Sequence, residues 1–181
     1  MSAIWYDTEF LEDGKTIELI SIGMVREIDG AELYVVNRDM PVRRIRKSPW
    51  LMANVVPHLP QGHGDYRNHM PRRWLFDYGD AAVYSKHRIA EKVRRFITAD
   101  PDPDLWAWYG AYDHVLLCQL WGAMVDLPNG VPMWTNDVQQ EWHRQGDPEV
   151  IPDQDPSDLH NALADARRCR DLHLALRERA S

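Results

Sequence analysis

The sequence predicts an α/β fold in which three antiparallel strands are followed by parallel strands, with helices flanking the sheet. Two apolar runs, 16–30 and 31–37, meet at Asp29-Gly30, a dipeptide typical of a tight hairpin turn. Farther along, the apolar run 104–110 passes directly into a helical pattern, a crossover typical of a parallel strand pair. Together these two signals indicate a mixed central sheet.

The apolar periodicity places the remaining elements. The predicted elements, in order, are strands at 3–7, 16–30 and 31–37, a short helix at 48–59, a helix at 85–99, a strand at 104–110, and helices at 111–125, near 136–144 and at about 159–179. The helix at 48–59 is predicted to begin at Ser48 as N-cap, with Pro49 in the first helical position.

A long connection at 57–80 is rich in Gly, Pro, His and Arg, and connections of this length are usually functional or mobile. Its histidines, His58, His63 and His69, have no cysteine beside them, and their spacing fits no common metal site. We therefore expect a lid or a subunit contact here. A second loop, acidic and rich in proline, follows at 146–158.

The length of 181 residues is enough for one full-sized core, so we expect a single domain over 1–181. Cys118 and Cys169 both fall in helical patterns, and they match neither a disulfide framework nor a zinc spacing, which indicates a reducing compartment. No signal-peptide pattern occurs, and no apolar run approaches the roughly 18 residues of a membrane span. These features predict a soluble cytoplasmic protein with no membrane partner.

The net charge of −7 argues against a protein that coats nucleic acid by bulk attraction, although it permits an enzyme that contacts a few phosphates. Basic clusters occur at 42–47, 72–73, 94–95 and 167–168. Each is predicted to be solvated surface, and 42–47 is the best candidate for a substrate contact. The eight tryptophans are predicted to lie mostly in the core, with some available for stacking on bases.

Asp7 and Glu9 stand one residue apart in an otherwise apolar opening segment. Side chains two apart in a strand share a face, so these acids would lie on the face of Ala3 and Trp5. Two adjacent carboxylates repel each other unless a cation or a proton lies between them, which makes the pair a candidate metal site. Taken alone, two solvated acids at a strand end are the simpler interpretation.

Two more acids lie at the start of apolar stripes with helical spacing. Asp113 precedes Leu116, Leu117, Leu120, Trp121 and Met124, and Asp165 precedes Cys169, Leu172 and Leu176. Ionised aspartates rarely lie on a core-facing stripe unless they are paired or bound to metal, although Asp113 could instead be a helix N-cap. Four converging carboxylates would suit two hard divalent cations, Mg²⁺ or Mn²⁺.

His160 lies five residues before Asp165, where the acidic loop meets the last helix. Beside a metal site, an imidazole can accept a proton from the attacking water. The nearest rival is His114, which helical geometry directs away from the acidic stripe.

Three motifs resemble those of the DEDDh 3′-5′ exonucleases, which have a ribonuclease H-like fold. They are "DTE" at 7–9, "YGAYD" ending at Asp113, and "HNALADA" with His160 and Asp165. Nearly the whole chain, including "SPWLMANVVPHLP", is similar to the bacterial polyadenylate-specific 3′-exoribonucleases of this superfamily (ribonuclease AS). Phe10-Leu11 replaces the Thr-Gly that follows the first motif in many relatives.

The resemblance implies a hydrolase that removes nucleoside 5′-monophosphates from single-stranded RNA 3′ ends, prefers adenylate, and forms a homodimer. By this analogy Asp7 bridges two Mg²⁺ ions, Glu9 and Asp165 complete one site, Asp113 supports the other through water, and His160 is the base. Phe10 and Trp134 are predicted to stack on bases. The alternatives are a 3′-exonuclease on DNA ends or short oligoribonucleotides, a hydrolase of small phosphodiesters, and an inactive RNA-binding module.

Overall fold

The structure, a computed structural model, describes residues 1–62, 74–149, 155 and 158–180. The strands are β1 (Ser2–Glu12), β2 (Ile17–Arg26), β3 (Glu32–Asn37), β4 (Val83–Tyr84), β5 (Pro103–Ala107) and β6 (Asn136–Asp137). They form one sheet in the order β4-β3-β2-β1-β5-β6. β1, β2 and β3 are antiparallel, whereas the pairs β3–β4, β1–β5 and β5–β6 are parallel. This mixed α/β sheet confirms the predicted fold class and is the arrangement of a ribonuclease H-like fold.

The helices are α1 (Val42–Ile45), α2 (Pro49–Asn54), α3 (Lys86–Thr98), α4 (Ala111–Cys118), α5 (Val138–Arg144) and α6 (Ala162–Ala180). Short 3₁₀ turns occur at Val56–His58 and Met124–Asp126. Ser48 caps α2, as predicted, by accepting a hydrogen bond from the Leu51 amide. None of the helices in the described ranges is long and apolar enough to cross a bilayer.

The predicted hairpin lies between β2 and β3. Gly30 adopts a left-handed φ of 68°, and its amide donates to the Arg26 carbonyl at 3.0 Å. Asp29 accepts hydrogen bonds from the Arg26 guanidinium, which fixes the turn from outside. The Asp-Gly signal was therefore correct about both the turn and the pairing that it produces.

Side chains of β1 alternate between the two faces of the sheet. Ile4 and Tyr6 pack in a cluster with α3 and α4, whereas Ala3 and Trp5 pack in a cluster with α5 and α6. Leu11, on the same face as Ala3 and Trp5, joins a third cluster that includes residues of α1 and α2. The acid pair of β1 thus falls between two apolar clusters on one face.

The sequence prediction was wrong in several details, and the four-residue helix α1 was not predicted at all. β1 reaches Glu12, so the acids lie inside the strand and not at its end. α4 stops at Cys118 instead of residue 125, because the amides of Leu120 and Trp121 donate to carbonyls only three residues back. Met124 lies beyond this point and is exposed. β4 and β6 were missed because two-residue strands have no readable period.

The connection predicted at 57–80 is partly built into the core. Trp74 and Phe76 are buried in the cluster beneath α2, and Gln61 forms a bridge with Phe76. His63, His69 and the basic pair 72–73 lie outside the described residues. Both cysteines are buried and free, in keeping with their predicted helical positions.

Candidate active site

Three of the predicted acids come together on one face of the sheet. Carboxylate oxygens of Asp7, Glu9 and Asp165 all lie within 4.8 Å of one another. Asp7 and Glu9 project from β1, and Asp165 projects from the first turn of α6, which packs across β1 and β2. Glu9 is 8% exposed, so this is not a pair of solvated surface acids.

Gly23 of β2 explains how α6 comes so close. It is paired with Asp7, and a Cβ atom at this position would lie 2.3 Å from the Leu163 amide nitrogen and 2.4 Å from the Ala162 carbonyl oxygen. Only glycine leaves room for the helix backbone here. Asn161 caps the helix at the same point, since its Oδ1 accepts from the amides of residues 163 and 164 at 3.1 Å. This close approach sets Asp165 beside Asp7.

Asp113 reaches the site from the opposite face of the sheet. The last pair between β1 and β5 is Trp5 with Trp106, so the Thr8 amide lies beyond the end of its neighbouring strand. That amide and the Thr8 hydroxyl both donate to Asp113 Oδ1, at 2.8 and 2.6 Å. Gly110 is the N-cap of α4, so the alternative that Asp113 is a helix cap is wrong.

Burial and mutual repulsion perturb the acids. Burial, with added repulsion from Asp113, Glu9 and Asp165, raises the pKa of Asp7 well above its usual range. Burial, followed by repulsion from Asp165 and Asp113, raises the pKa of Glu9 to about 8. The pKa of Asp113 is raised to about 6, mainly by burial, although hydrogen bonds from Thr8 oppose the shift. A divalent cation would relieve this repulsion, and an all-carboxylate set of donors fits Mg²⁺ or Mn²⁺.

His160 borders the same cavity as the three clustered acids. Its backbone has a left-handed φ of 65°, and its ring packs edge-on against Trp50 with 4.8 Å between ring centroids. The rival, His114, is engaged elsewhere, because its Nε2 lies 2.9 Å from the Met133 carbonyl oxygen. Of the two candidates for a base, only His160 borders the acid cluster.

The cavity around these residues has a volume of about 360 Å³. Its aromatic wall is formed by Phe10, Trp50 and Trp108, and its other lining residues are Asp7, Thr8, Glu9, Leu159, His160, Asp165, Arg168, Cys169 and Leu172. The predicted stacking residue Phe10 lies in this wall, and its ring is stacked on Tyr112 with an interplanar angle of 9°. Trp134 is 61% exposed and does not line the cavity, so its stacking role stays a prediction.

Sequence reasoning missed several lining residues, among them Trp50, Trp108 and Arg168. The two tryptophans come from segments whose approach depends on tertiary packing, so no local signal could identify them. Arg168 did have a signal, because it lies three residues after Asp165 and hence on the same face of α6.

The basic segment 42–47, predicted to be the best substrate contact among the cationic clusters, is partly used for structure. Arg44 forms ion pairs with Asp13 and Glu18. Arg46 donates to the Trp74 carbonyl oxygen at 2.8 Å. Two of the positively charged side chains in this segment therefore have partners within the fold.

No family model matches the chain. The chain is similar to 3′-5′ exoribonucleases from two strains of Mycobacterium tuberculosis, each 42% identical to it over 165 residues. Each match covers 90% of this chain and 86% of the relative. At this identity and coverage, the chain belongs to the family of 3′-5′ exoribonucleases.

Proposed function

We propose that the protein is a metal-dependent 3′-5′ exoribonuclease that releases nucleoside 5′-monophosphates from the 3′ ends of single-stranded RNA, with adenylate tails preferred. The observation that supports this proposal most directly is the cluster of Asp7, Glu9 and Asp165, whose carboxylate oxygens lie within 4.8 Å of one another in the cavity that His160 also lines. Membership of the 3′-5′ exoribonuclease family supports the direction of attack and the RNA substrate.

Asp7, Glu9 and Asp165 would hold one of two divalent cations, Mg²⁺ or Mn²⁺, and Asp7 with Asp113 would support the second. Bound cations supply charge neutralisation and a more acidic water, which is the chemistry that hydrolysis of a phosphodiester needs. Thr8 keeps one oxygen of Asp113 fixed by two hydrogen bonds, so this carboxylate is oriented before any ligand arrives.

His160 acts as the general base. One of its ring nitrogens accepts a proton from the water whose oxygen forms a new bond to phosphorus. The bond from phosphorus to the 3′ oxygen breaks, and this oxygen takes up a proton as the strand leaves with a free 3′ hydroxyl. Trp50 packs against the imidazole and limits the directions in which it can turn.

The aromatic wall supports binding of one unpaired nucleotide beside the acids. Phe10, Trp50 and Trp108 offer faces or edges to a base, and stacking of this kind is tolerant of sequence. The cavity of about 360 Å³ is within the size range of small-ligand sites, which favours a terminal nucleotide over a duplex. The preference for adenylate rests on the resemblance to polyadenylate-specific enzymes alone.

Mass analysis of the products tests this function. Oligomers of A, U, C and deoxy-A, each with a 5′ label, are incubated with Mg²⁺ or Mn²⁺ and with a chelator as control. We expect nucleoside 5′-monophosphates, progressive shortening from the 3′ end, fastest reaction on oligo-A, and none with chelator. Faster reaction on oligo-deoxy-A would favour a DNA exonuclease. Binding of RNA without any cleavage would favour an inactive binding module.

We also propose that residues 1–181 act as one catalytic domain, that the protein forms a homodimer, and that it works in the cytoplasm. The packing of the described helices against one six-stranded sheet supports the first point. Light scattering of the purified protein tests the second, since a monomer at micromolar concentration would contradict it.

A further inference from the structure

Arg168 is an unusual member of the cavity lining. It is the only lysine or arginine among the described residues that line the cavity. Its Nε atom is buried and has no hydrogen-bond partner within the described part of the chain. A buried donor without an acceptor is unfavourable, so this guanidinium is suited to an acceptor that enters from outside.

The neighbouring arginines of α6 show that this is not a general feature of the helix. Arg167 Nε donates to Glu32 Oε1 at 2.8 Å, and its Nη2 donates to the other oxygen of the same carboxylate. Arg170 Nε donates to Asp171 Oδ1 at 2.8 Å. Among the described residues Arg168 forms no ion pair, although acids line the same cavity.

Its position along α6 separates it from the acids by about one turn. Asp165, Arg168, Cys169 and Leu172 line the cavity at spacings of three, four and seven residues, which lie on one face of a helix. Under the proposed function the cations held by the acids would face the phosphate that is cleaved, so a positive group about one turn away suits a further phosphate of the strand. The planar fork of arginine matches the non-bridging oxygens of a phosphate better than any other side chain.

We infer that Arg168 is a substrate-binding residue, and that its guanidinium holds a phosphate of the RNA inside the cavity, about one helical turn from Asp165. This inference rests on the proposed function, because the RNA that Arg168 would bind is the substrate of that function. A purely structural role, in which Arg168 only balances the charge of the acid cluster, would instead act on the affinity for the metal.

The test compares Arg168→Gln and Arg168→Lys with Arg167→Gln, a matched control that removes a partly exposed ion pair one residue away. KM and kcat are measured on a single-stranded oligo-A at several salt and Mg²⁺ concentrations. For Arg168→Gln we expect kcat/KM to fall roughly 10- to 100-fold, mainly through KM. We also expect a weaker salt dependence. The slope of log(kcat/KM) against log salt concentration should become smaller by about 0.7, which is the value for one phosphate contact on a single strand.

Arg168→Lys keeps the charge but loses the fork, so it should recover part of the loss, and Arg167→Gln should stay within about twofold of the parent. Melting temperatures of all three variants check that they fold. The inference is overturned if Arg168→Gln keeps the parent KM and salt slope, or if its main effect is a change in the Mg²⁺ concentration for half-maximal rate.

A binding experiment separates this result from failure of the proposed function. Anisotropy of labelled oligo-A is recorded with Ca²⁺ in place of Mg²⁺. Binding by the parent that weakens in Arg168→Gln supports the inference even if the parent cleaves no RNA. Cleavage by the parent with unchanged binding in Arg168→Gln overturns the inference and leaves the exoribonuclease intact. If the parent binds no RNA, both are wrong.

Discussion

Both polar donors of Thr8 converge on a single oxygen of Asp113, with the amide at 2.8 Å and the hydroxyl at 2.6 Å. The two residues are far apart in the sequence, and their contact holds α4 against β1 where β5 has already ended. It also lowers the pKa of a carboxyl that burial would otherwise raise further.

We expect Thr8→Val to raise the pKa of Asp113 above its present value of about 6, because one hydrogen bond to the ionised form is lost. Activity near neutral pH should fall roughly 10-fold and recover in part as the pH rises. A pH profile of kcat/KM checks this, with Thr8→Ser as the control that keeps the hydroxyl. A uniform loss at every pH would contradict the explanation.

Replacing Gly23 with alanine should displace the first turn of α6, because the new methyl group would overlap its backbone. We expect a loss of roughly 1–3 kcal/mol in the free energy of unfolding. Activity should fall by at least about 100-fold, since even a displacement of about 1 Å disturbs a catalytic arrangement to this extent. Denaturant unfolding and single-turnover rates measure the two effects.

Gly79→Ala is the control for that variant, because the nearest atom to its new methyl group belongs to the Asp77 side chain and not to backbone. Gly79→Ala should leave the free energy of unfolding and the single-turnover rate nearly unchanged. Full activity in Gly23→Ala would show that Asp165 does not depend on the close approach of α6.

Replacing His160 with alanine should lower turnover by roughly 10²–10⁴-fold and leave metal binding largely intact. The left-handed backbone of His160 complicates this variant, since alanine is strained there. His160→Asn tolerates the same backbone and also lacks a base, so both variants should lose activity to a similar extent. An asparagine variant with normal turnover would remove His160 from the mechanism.

Asp7→Asn should abolish activity, because it removes the acid proposed to contact both cations. The same change should stabilise the metal-free protein, since it removes a buried carboxyl that Asp113, Glu9 and Asp165 repel. Calorimetric titration with Mn²⁺ and melting in chelator measure the two effects, with Asp171→Asn on the exposed side of α6 as control. Normal metal affinity in Asp7→Asn would refute its role.

The raised pKa of Glu9 predicts how pH affects the metal-free protein. Its carboxyl keeps a proton in the folded state up to about pH 8, whereas in the unfolded chain it releases the proton near 4.5. Within this window the folded state binds more protons, so the contribution of Glu9 to stability falls as the pH rises.

Added Mg²⁺ or Mn²⁺ must displace those protons, so the increase in melting temperature that it produces should grow between about pH 6 and pH 8.5. Melting curves with and without metal across that range measure this linkage. An increase that is independent of pH would show that the acids are already ionised in the free protein.

The elements that could be predicted were those with a local signal. The alternation in β1 placed Asp7 and Glu9 on one face, and the Asp29-Gly30 turn fixed the meander. The end of α4 was placed too late, because apolar residues continue at helical spacing past Cys118 and the stop signal of Gly122, which has a φ of 109°, was not used.

The acids of the site were predictable because each lies on an apolar strand or helix, where a charged residue is conspicuous. The aromatic wall around these acids could not be predicted from the sequence. Trp50 lies far from the acids in sequence, and a glycine such as Gly23 has several possible meanings in a strand. Arg168 was grouped with Arg167 as surface, although adjacent helical residues point about 100° apart, so one can face solvent and the other the cavity.

The pairing of β1 with β2 shifts between Glu9 and Phe10, where Ile20 of β2 is passed over. Asp7 and Glu9 keep their own partners, Gly23 and Ser21, on one side of this irregularity. The shift therefore lies between the acids and the segment that contains Phe10 and Leu11. Under the proposed function, we therefore expect that a substitution at Phe10 can alter the aromatic wall without changing the strand register of Asp7 and Glu9, so that base preference and cation binding are separable by mutation.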